Sequence, residues 1–392
     1  MKKLIMIKYA ELTTKKDNRN FFINTLSKNI ESSLSDLNII IKKDYYRMFI
    51  EVEDNNIEES VNRLSKVFGI HEIDIVYFDE DKSLDKIKEI SSALIENDTT
   101  FKVETNRSDK TYEIKSMDMS RMIGAHLLKT KENLKVDVHS PKIVINIEIR
   151  NEGVYIYKTG IKGSGGYPTG TLGKALLMLS GGIDSVVAGY LTMKRGVKLD
   201  FIYFESIPHT SLEARNKVID LAKKLKEYGN IGKLYIINFT KIQESIYRDL
   251  DRDYMITIMR RQMYKIGTNL AKKIKANAIV NGESIGQVAS QTLTSIKVVN
   301  DVTNYPIIRP LAAYDKIEIM EIARKIGTYD ISILPYEDCC TIFVPTHPVI
   351  NPNLEYAREL DNKLDSILID NALKDMIILD LNKKEKKDED YL

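Results

Sequence analysis

The chain has 392 residues, 43% hydrophobic and 29% charged, with 58 Lys and Arg against 56 Asp and Glu for a formal charge of +2. It is too long for one hydrophobic core, so two or three domains are expected, and its composition is that of an ordinary globular protein. No apolar run reaches eighteen residues, which excludes a simple membrane span, and the balanced charge means that nucleic acid would be met by a local basic surface. The apolar core of Met1-Lys2-Lys3-Leu4-Ile5-Met6-Ile7-Lys8 is too short for a secretory leader, so a cytoplasmic protein is expected. The two cysteines, Cys339 and Cys340, are adjacent. A bridge between neighbours is strained and closes almost no loop, and a structural zinc site would need more ligands than they supply.

In chain order, residues 4–12 read as a strand and 20–34 as a helix, with Phe22, Leu26, Ile30 and Leu34 at fourfold spacing. Strands at 38–42 and 47–52, a helix at 57–67 and a strand at 73–78 complete the order βαββαβ. That is the ferredoxin-like pattern. A helix at 84–95, a strand at 100–104 and a helix at 117–128 follow. Strands at 135–138, 143–150 and 154–158 come next. Residues 100–165 carry 12 Lys and Arg against 8 Asp and Glu, a mild basic surplus. The glycine-rich run from Gly160 to Gly170 reads as a linker or a substrate-facing loop, and the main boundary is placed inside it.

Beyond Lys174 the pattern becomes strand–helix alternation, the mark of a parallel sheet. Strands are expected at 175–179, 199–204, 235–239 and 278–281. Helices are expected at 185–194, 212–225 and 254–274, the last with a stripe of Met259, Met263, Ile266, Leu270 and Ile274. Asp315-Lys316-Ile317-Glu318 is a capping box opening a helix to Ile326. The charge-dense end from Asn382 to Asp390 reads as a frayed tail.

The strongest chemical signal is Leu179-Ser180-Gly181-Gly182-Ile183-Asp184-Ser185, where an apolar strand turns into a helix. Two glycines allow close approach to an anion, and Ser180, Ser185 and the helix N-terminus offer donors to phosphate. Asp184 would repel phosphate, and is better placed to hold Mg²⁺ bridging the phosphates. The other nucleotide loops fail. Gly173-Lys174 is followed by Ala175 and has Pro168 where the P-loop needs its first glycine, and Gly163-x-Gly165 also leads to Pro168.

Ser180-Gly181-Gly182-Ile183-Asp184-Ser185 resembles the pyrophosphate loop of the ATP-pyrophosphatase (PP-loop) family. Longer stretches narrow the resemblance to the tRNA 4-thiouridine synthetase (tRNA sulfurtransferase) family. They are the run Asn281 to Leu293, Arg309-Pro310-Leu311, Tyr314-Asp315-Lys316, Ile322 to Thr328, and Tyr336 to Pro345 with its Glu337-Asp338-Cys339-Cys340 core. Lys8-Tyr9-x-Glu11, Asn18-Arg19 and the stretch from Val136-Asp137-Val138-His139 to Gly173-Lys174 are similar to the family's N-terminal and THUMP domains. The likeness runs to about Pro352. Ala10 and Lys16 stand where glycine is usual, and Val186 replaces a frequent proline.

The resemblance implies an α/β protein in three parts: a ferredoxin-like α+β domain over 1–79, a THUMP RNA-binding domain over 80–165, and a parallel-sheet PP-loop catalytic domain over 166–392. It implies that ATP and Mg²⁺ are used to adenylate O4 of the uridine at tRNA position eight, with sulfur then delivered from a cysteine persulfide. Met178, Leu179, Ser180, Gly181, Gly182, Ser185, Tyr203, Phe204, Arg260, Gly282 and Gln291 would line the ATP site. Asp184 would serve catalysis and the metal. Cys339 or Cys340 would carry the sulfur, Cys339 aligning better. Arg260 and Arg261 point about 100° apart on a helix, so at most one is expected in the site, with the other meeting solvent or RNA. No rhodanese domain is expected, so a cysteine desulfurase would supply sulfur. The family also implies a homodimer and a possible role in thiamine thiazole synthesis. Two other readings stay open. A non-catalytic RNA binder has no need of Asp184, and a PP-loop adenylating enzyme acting on another RNA or a small molecule has no need of this N-terminal half.

Overall fold

The computed structural model describes residues 1–10, 18–339, 342–343 and 347–383. Leu12 at the end of the first predicted strand, Lys16, Cys340 and the tail beyond residue 383 lie outside the described residues. The chain forms two compact units, Met1–Tyr167 and Pro168–Leu392.

The first unit runs β1 (Lys2–Tyr9), α1 (Arg19–Ser33), β2 (Ile40–Lys43), β3 (Arg47–Glu51), α2 (Ile57–Lys66), β4 (Ile70–Asp79), α3 (Leu84–Ala93), β5 (Thr100–Arg107), α4 (Ser116–Thr130), β6 (Lys135–Val136), β7 (Ile143–Arg150), β8 (Gly153–Lys158) and β9 (Ile161–Lys162). Its strands join in one sheet of order β2-β3-β1-β4-β8-β7-β5-β6, with β9 also on β4. The first four strands have the ferredoxin-like order. Strand alternation explains the layers. Ile5 and Ile7 of β1 face the core shared with α1 and α2. Leu4 and Met6 point the other way, against Phe49, Val76 and Tyr157. A separate core beneath α3 and α4 holds Phe101, Ile123, Leu127, Ile145 and Ile147.

The glycine-rich run is not a free linker. Ile161 and Lys162 pair with Ile73 and Glu72 of β4. A Cβ on Gly160 would lie 1.8 Å from the Ile73 carbonyl oxygen, so only glycine fits there. The Gly165 N–H donates to the Ile70 carbonyl at 2.8 Å, and Tyr167 packs on Phe22. The run is therefore the last edge of the first unit.

The second unit runs β10 (Lys174–Met178), α5 (Ile183–Lys194), β11 (Lys198–Glu205), α6 (Leu212–Lys226), β12 (Lys233–Asn238), α7 (Thr240–Asp249), α8 (Met255–Lys273), β13 (Ala278–Val280), α9 (Leu293–Asn300), β14 (Ile307–Ile308), α10 (Lys316–Lys325), α11 (Tyr329–Ser332), α12 (Leu354–Asn362), α13 (Ile367–Lys374) and β15 (Ile377–Asp380). The sheet order is β14-β13-β10-β11-β12-β15. All neighbours are parallel except β12 and β15, which are antiparallel. The chain starts in the middle at β10, goes outward to β12 and returns to the other side at β13. Ligands of open α/β sheets bind outside the strand carboxyl ends at such a reversal. The capping box on α10 forms as expected, with Asp315 and Glu318 each bonded to the other's backbone N–H.

Candidate active site

β10 ends on the carboxyl side of this reversal. The Leu179 N–H continues its pairing by donating to the Ile202 carbonyl at 2.9 Å. The chain then turns through Ser180-Gly181-Gly182 into α5, whose N-cap Gly182 has no side chain to cap the helix. Four N–H groups at a helix start lack intrahelical partners, so this end is suited to an anion. The two serines hold the turn in shape. The Ser180 N–H donates to Ser185 Oγ at 3.0 Å, and the Gly182 N–H to Ser180 Oγ at 3.3 Å. As placed, these hydroxyls organise the loop, and it is the uncapped start of α5 that suits an anion.

Met178, Ser180, Asp184, Ser185, Arg260, Gly282 and Gln291 line one cavity of about 290 Å³. Six residues expected at the ATP site and the expected metal ligand Asp184, spread over more than a hundred positions, thus converge. Ile256, Met259 and Met263 of α8 add an apolar wall. Gln291 Oε1 is buried and has no hydrogen-bond partner among the described residues. Gly282 packs on the protein itself. A Cβ there would stand 2.6 Å from both the Asp184 carbonyl carbon and the Ser185 nitrogen, so glycine lets β13 and the loop close together.

Leu179, Gly181, Gly182, Tyr203 and Phe204 are not on the wall of that cavity. Leu179, Tyr203 and Phe204 are core, and Phe204 makes an edge contact with Phe239. Burial, reinforced by Asp338, Cys339 and Glu205, pushes the Tyr203 phenol far above its usual range. These strands reach the site through their ends, and their side chains face inward because both faces of a parallel sheet are covered.

The Asp184 carboxylate accepts from Lys316 Nζ at 2.6 Å and from Gln287 Nε2 at 2.8 Å. Lys316 is a site residue that the sequence reading missed. It is the first residue of α10, 132 positions from Asp184, and its only signal is its place in the Tyr314-Asp315-Lys316 match. Arg260 reaches the cavity but is held by Glu283 and by the Ser290 carbonyl, and Glu283 also takes Arg309 Nε at 2.5 Å. It therefore clamps the segment from Glu283 to Ser290. Arg261 corrects an expectation. It meets neither solvent nor RNA, being 2% exposed and bonded through Nε to Asp361 at 2.6 Å.

Cys339 is buried, and its carbonyl accepts from Gln243 Nε2 at 2.7 Å. Next to it, the Asp338 carboxylate accepts from the Gly181 N–H, with both oxygens at 3.1 Å. Burial raises the Asp338 pKa, opposed by the Gly181 N–H and by Lys217. Lys217 of α6 is buried, which lowers its own pKa, and its Nζ donates to the Leu334 carbonyl at 2.9 Å. The cysteine segment is thus tied to the loop.

Profiles of known families match along the chain in the same order. A ThiI ferredoxin-like domain matches residues 4–73, a THUMP domain 79–158, and the thiamine biosynthesis protein (ThiI) family 170–366. A probable tRNA sulfurtransferase of Halothermothrix orenii is 46% identical over 387 residues, covering 96% of this chain and 97% of its own. One of Geobacillus kaustophilus is 44% identical, covering 99% and 98%. A crystal structure of a 4-thiouridine synthetase–RNA complex with bound ATP is 34% identical, covers 96% of this chain and 99% of its own, and superposes with a TM-score of 0.89. With fold, loop and nearly the whole length in common, the chain belongs to the thiamine biosynthesis protein (ThiI) family.

Proposed function

We propose that this chain is an ATP-dependent tRNA uracil 4-sulfurtransferase that forms 4-thiouridine at tRNA position eight. The observation that carries the reading is the single cavity in which Ser180, Asp184 and Ser185 of the loop meet Arg260, Gly282 and Gln291 outside β10 and β13. The apolar wall of α8 suits adenine, and Gln291 Oε1 is a buried acceptor for its amine. The uncapped start of α5 suits the phosphates. Attack of uridine O4 on the α-phosphate forms an adenylate and releases pyrophosphate, with N–H groups aimed at the departing charge. AMP is then a far better leaving group than the carbonyl oxygen. The terminal sulfur of a persulfide on Cys339 or Cys340 attacks C4 as AMP departs, and a second thiol then cleaves the S–S bond still joining it to the protein, freeing 4-thiouridine and leaving the carrier cysteine in a disulfide with that thiol.

Mg²⁺ is held through one or two carboxylates plus phosphate oxygens, and the Asp184 carboxylate at the start of α5 fits that donor set. The ion would neutralise phosphate charge there. The first unit would hold the tRNA by shape and phosphate, with the target base splayed from its stack. A cysteine desulfurase as sulfur donor, a homodimer, a cytoplasmic location and a contribution to thiamine thiazole synthesis complete the proposal, resting on the family resemblance. Among the described residues no helix is long and apolar enough to cross a membrane.

The test is mass spectrometry of nucleosides from unmodified tRNA after incubation with the protein, Mg-ATP, cysteine and a cysteine desulfurase. The expected result is 4-thiouridine that falls at least a hundredfold, to background, in Asp184→Ala. Thiolation persisting in that variant, or absent from wild type while ATP and tRNA still bind, sinks the reading.

A further inference from the structure

One loop donor, the Gly181 N–H, already has an anion on it. Both oxygens of Asp338 lie 3.1 Å from that nitrogen. The same side chain closes over the glycine from outside, since a Cβ on Gly181 would be 3.2 Å from Asp338 Oδ1. Lys217 approaches from a second direction, 3.1 Å from that Cβ position through Cε, and bonds the Leu334 and Tyr336 carbonyls at 2.9 and 3.4 Å. Leu334, Tyr336 and Asp338 therefore pin one short strap around the loop. Cys339 is its next residue, only 3% exposed, with its carbonyl tied to Gln243.

Two facts conflict if this arrangement is static. A thiol so covered cannot be reached by a protein that loads it with sulfur. A carboxylate on the loop also stands where phosphate charge must come, and two anions cannot share one N–H donor without a large electrostatic cost. Resting on the reading of this loop as a pyrophosphate site, we propose that Asp338 is a positioning residue that seats the Cys339 strap on the loop, and that bound pyrophosphate displaces it.

The strap and the phosphates are then alternative occupants of one amide. With ATP in place the strap is released and Cys339 is open to loading. Once the loop is empty, Asp338 returns to Gly181 and covers Cys339 again. Exposure of the sulfur carrier would thus be tied to occupancy of the loop, because strap and phosphate use the same N–H in turn.

The probe is inorganic pyrophosphate with Mg²⁺ on the full chain. Calorimetry reads its affinity. Iodoacetamide labelling, localised to Cys339 by tandem mass spectrometry, reads strap release. Saturating pyrophosphate should raise the wild-type labelling rate on the order of tenfold, the scale of a lost charge-assisted hydrogen bond. Asp338→Ala and the isosteric Asp338→Asn should label fast without pyrophosphate and bind it about tenfold more tightly. A strap that was merely structural would label faster in the variants without any gain in pyrophosphate affinity, and that result overturns the proposal. So does wild-type labelling indifferent to pyrophosphate that demonstrably binds, which leaves the function reading intact. If neither wild type nor variants bind pyrophosphate, the loop reading falls and this inference with it.

Discussion

Gly282 shows how a residue's place can be legible while its reason is not. Its position in the Asn281 to Leu293 match marked it for the nucleotide site, and it does line the cavity. Its lack of a side chain is required by the loop, because a Cβ would press 2.6 Å onto backbone atoms of Asp184 and Ser185 that cannot swing aside. Gly282→Ala should therefore displace the start of α5, cost about 1–3 kcal/mol in urea unfolding, and lower 4-thiouridine formation by roughly tenfold or more. Lys316 is the converse case. Nothing local distinguishes it from other lysines at a helix start, since its 2.6 Å contact with Asp184 joins residues remote in sequence. Asp184 itself was readable because the strand, turn and helix around it are contiguous.

At the scale of elements, long periodic segments were legible and short ones were not. α8 with its stripe and the capped α10 were expected, whereas α7, α9, α12, α13, β14 and β15 were not assigned from sequence. These are short, ten residues at most, and depend on packing against α8 or on the edges of the sheet. The misreading of Arg261 follows from that gap. Its partners are the Val298 carbonyl and Asp301 around the end of α9, and Asp361 of α12. Asp361→Ala should strand a buried guanidinium and cost about 3–5 kcal/mol of stability, measured by denaturant unfolding.

Asp74 of β4 offers a pH test in the other sheet. Burial raises its pKa to about 6, with Lys8 and the Gly160 N–H limiting the rise. Between the ordinary carboxylate value and about 6 the folded state holds the extra proton, so this group's contribution to stability falls as pH rises through that window and then levels. The unfolding midpoint of Asp74→Asn relative to wild type should accordingly climb from pH 4.5 to pH 7. A difference that stays flat removes the buried-carboxyl account.

For the whole molecule, the two units have separate cores and separate sheets. Residues 168–392 expressed alone should fold cooperatively and keep ATP affinity within about threefold of the full chain, because every residue on the cavity wall lies beyond Pro168. The fragment 1–167 should fold without binding ATP. Calorimetry on both fragments checks this, and an unfolded 168–392 would show that its core is insufficient alone.

By itself the sequence determined the order of strands and helices in the long periodic segments, the loop from Ser180 to Ser185 and the family to which the chain belongs. These are carried by contiguous residues, where hydrophobic period and turn chemistry act over a few positions. Only the tertiary structure decided that Lys316 and Gln287 meet Asp184, that Arg260 is a clamp and Arg261 a buried anchor, and that Asp338 holds the Gly181 amide. Each is a contact between charged or polar groups 23 to 157 residues apart. Such pairs leave no periodic trace in the chain, because their geometry exists only after the sheet has brought its carboxyl ends together.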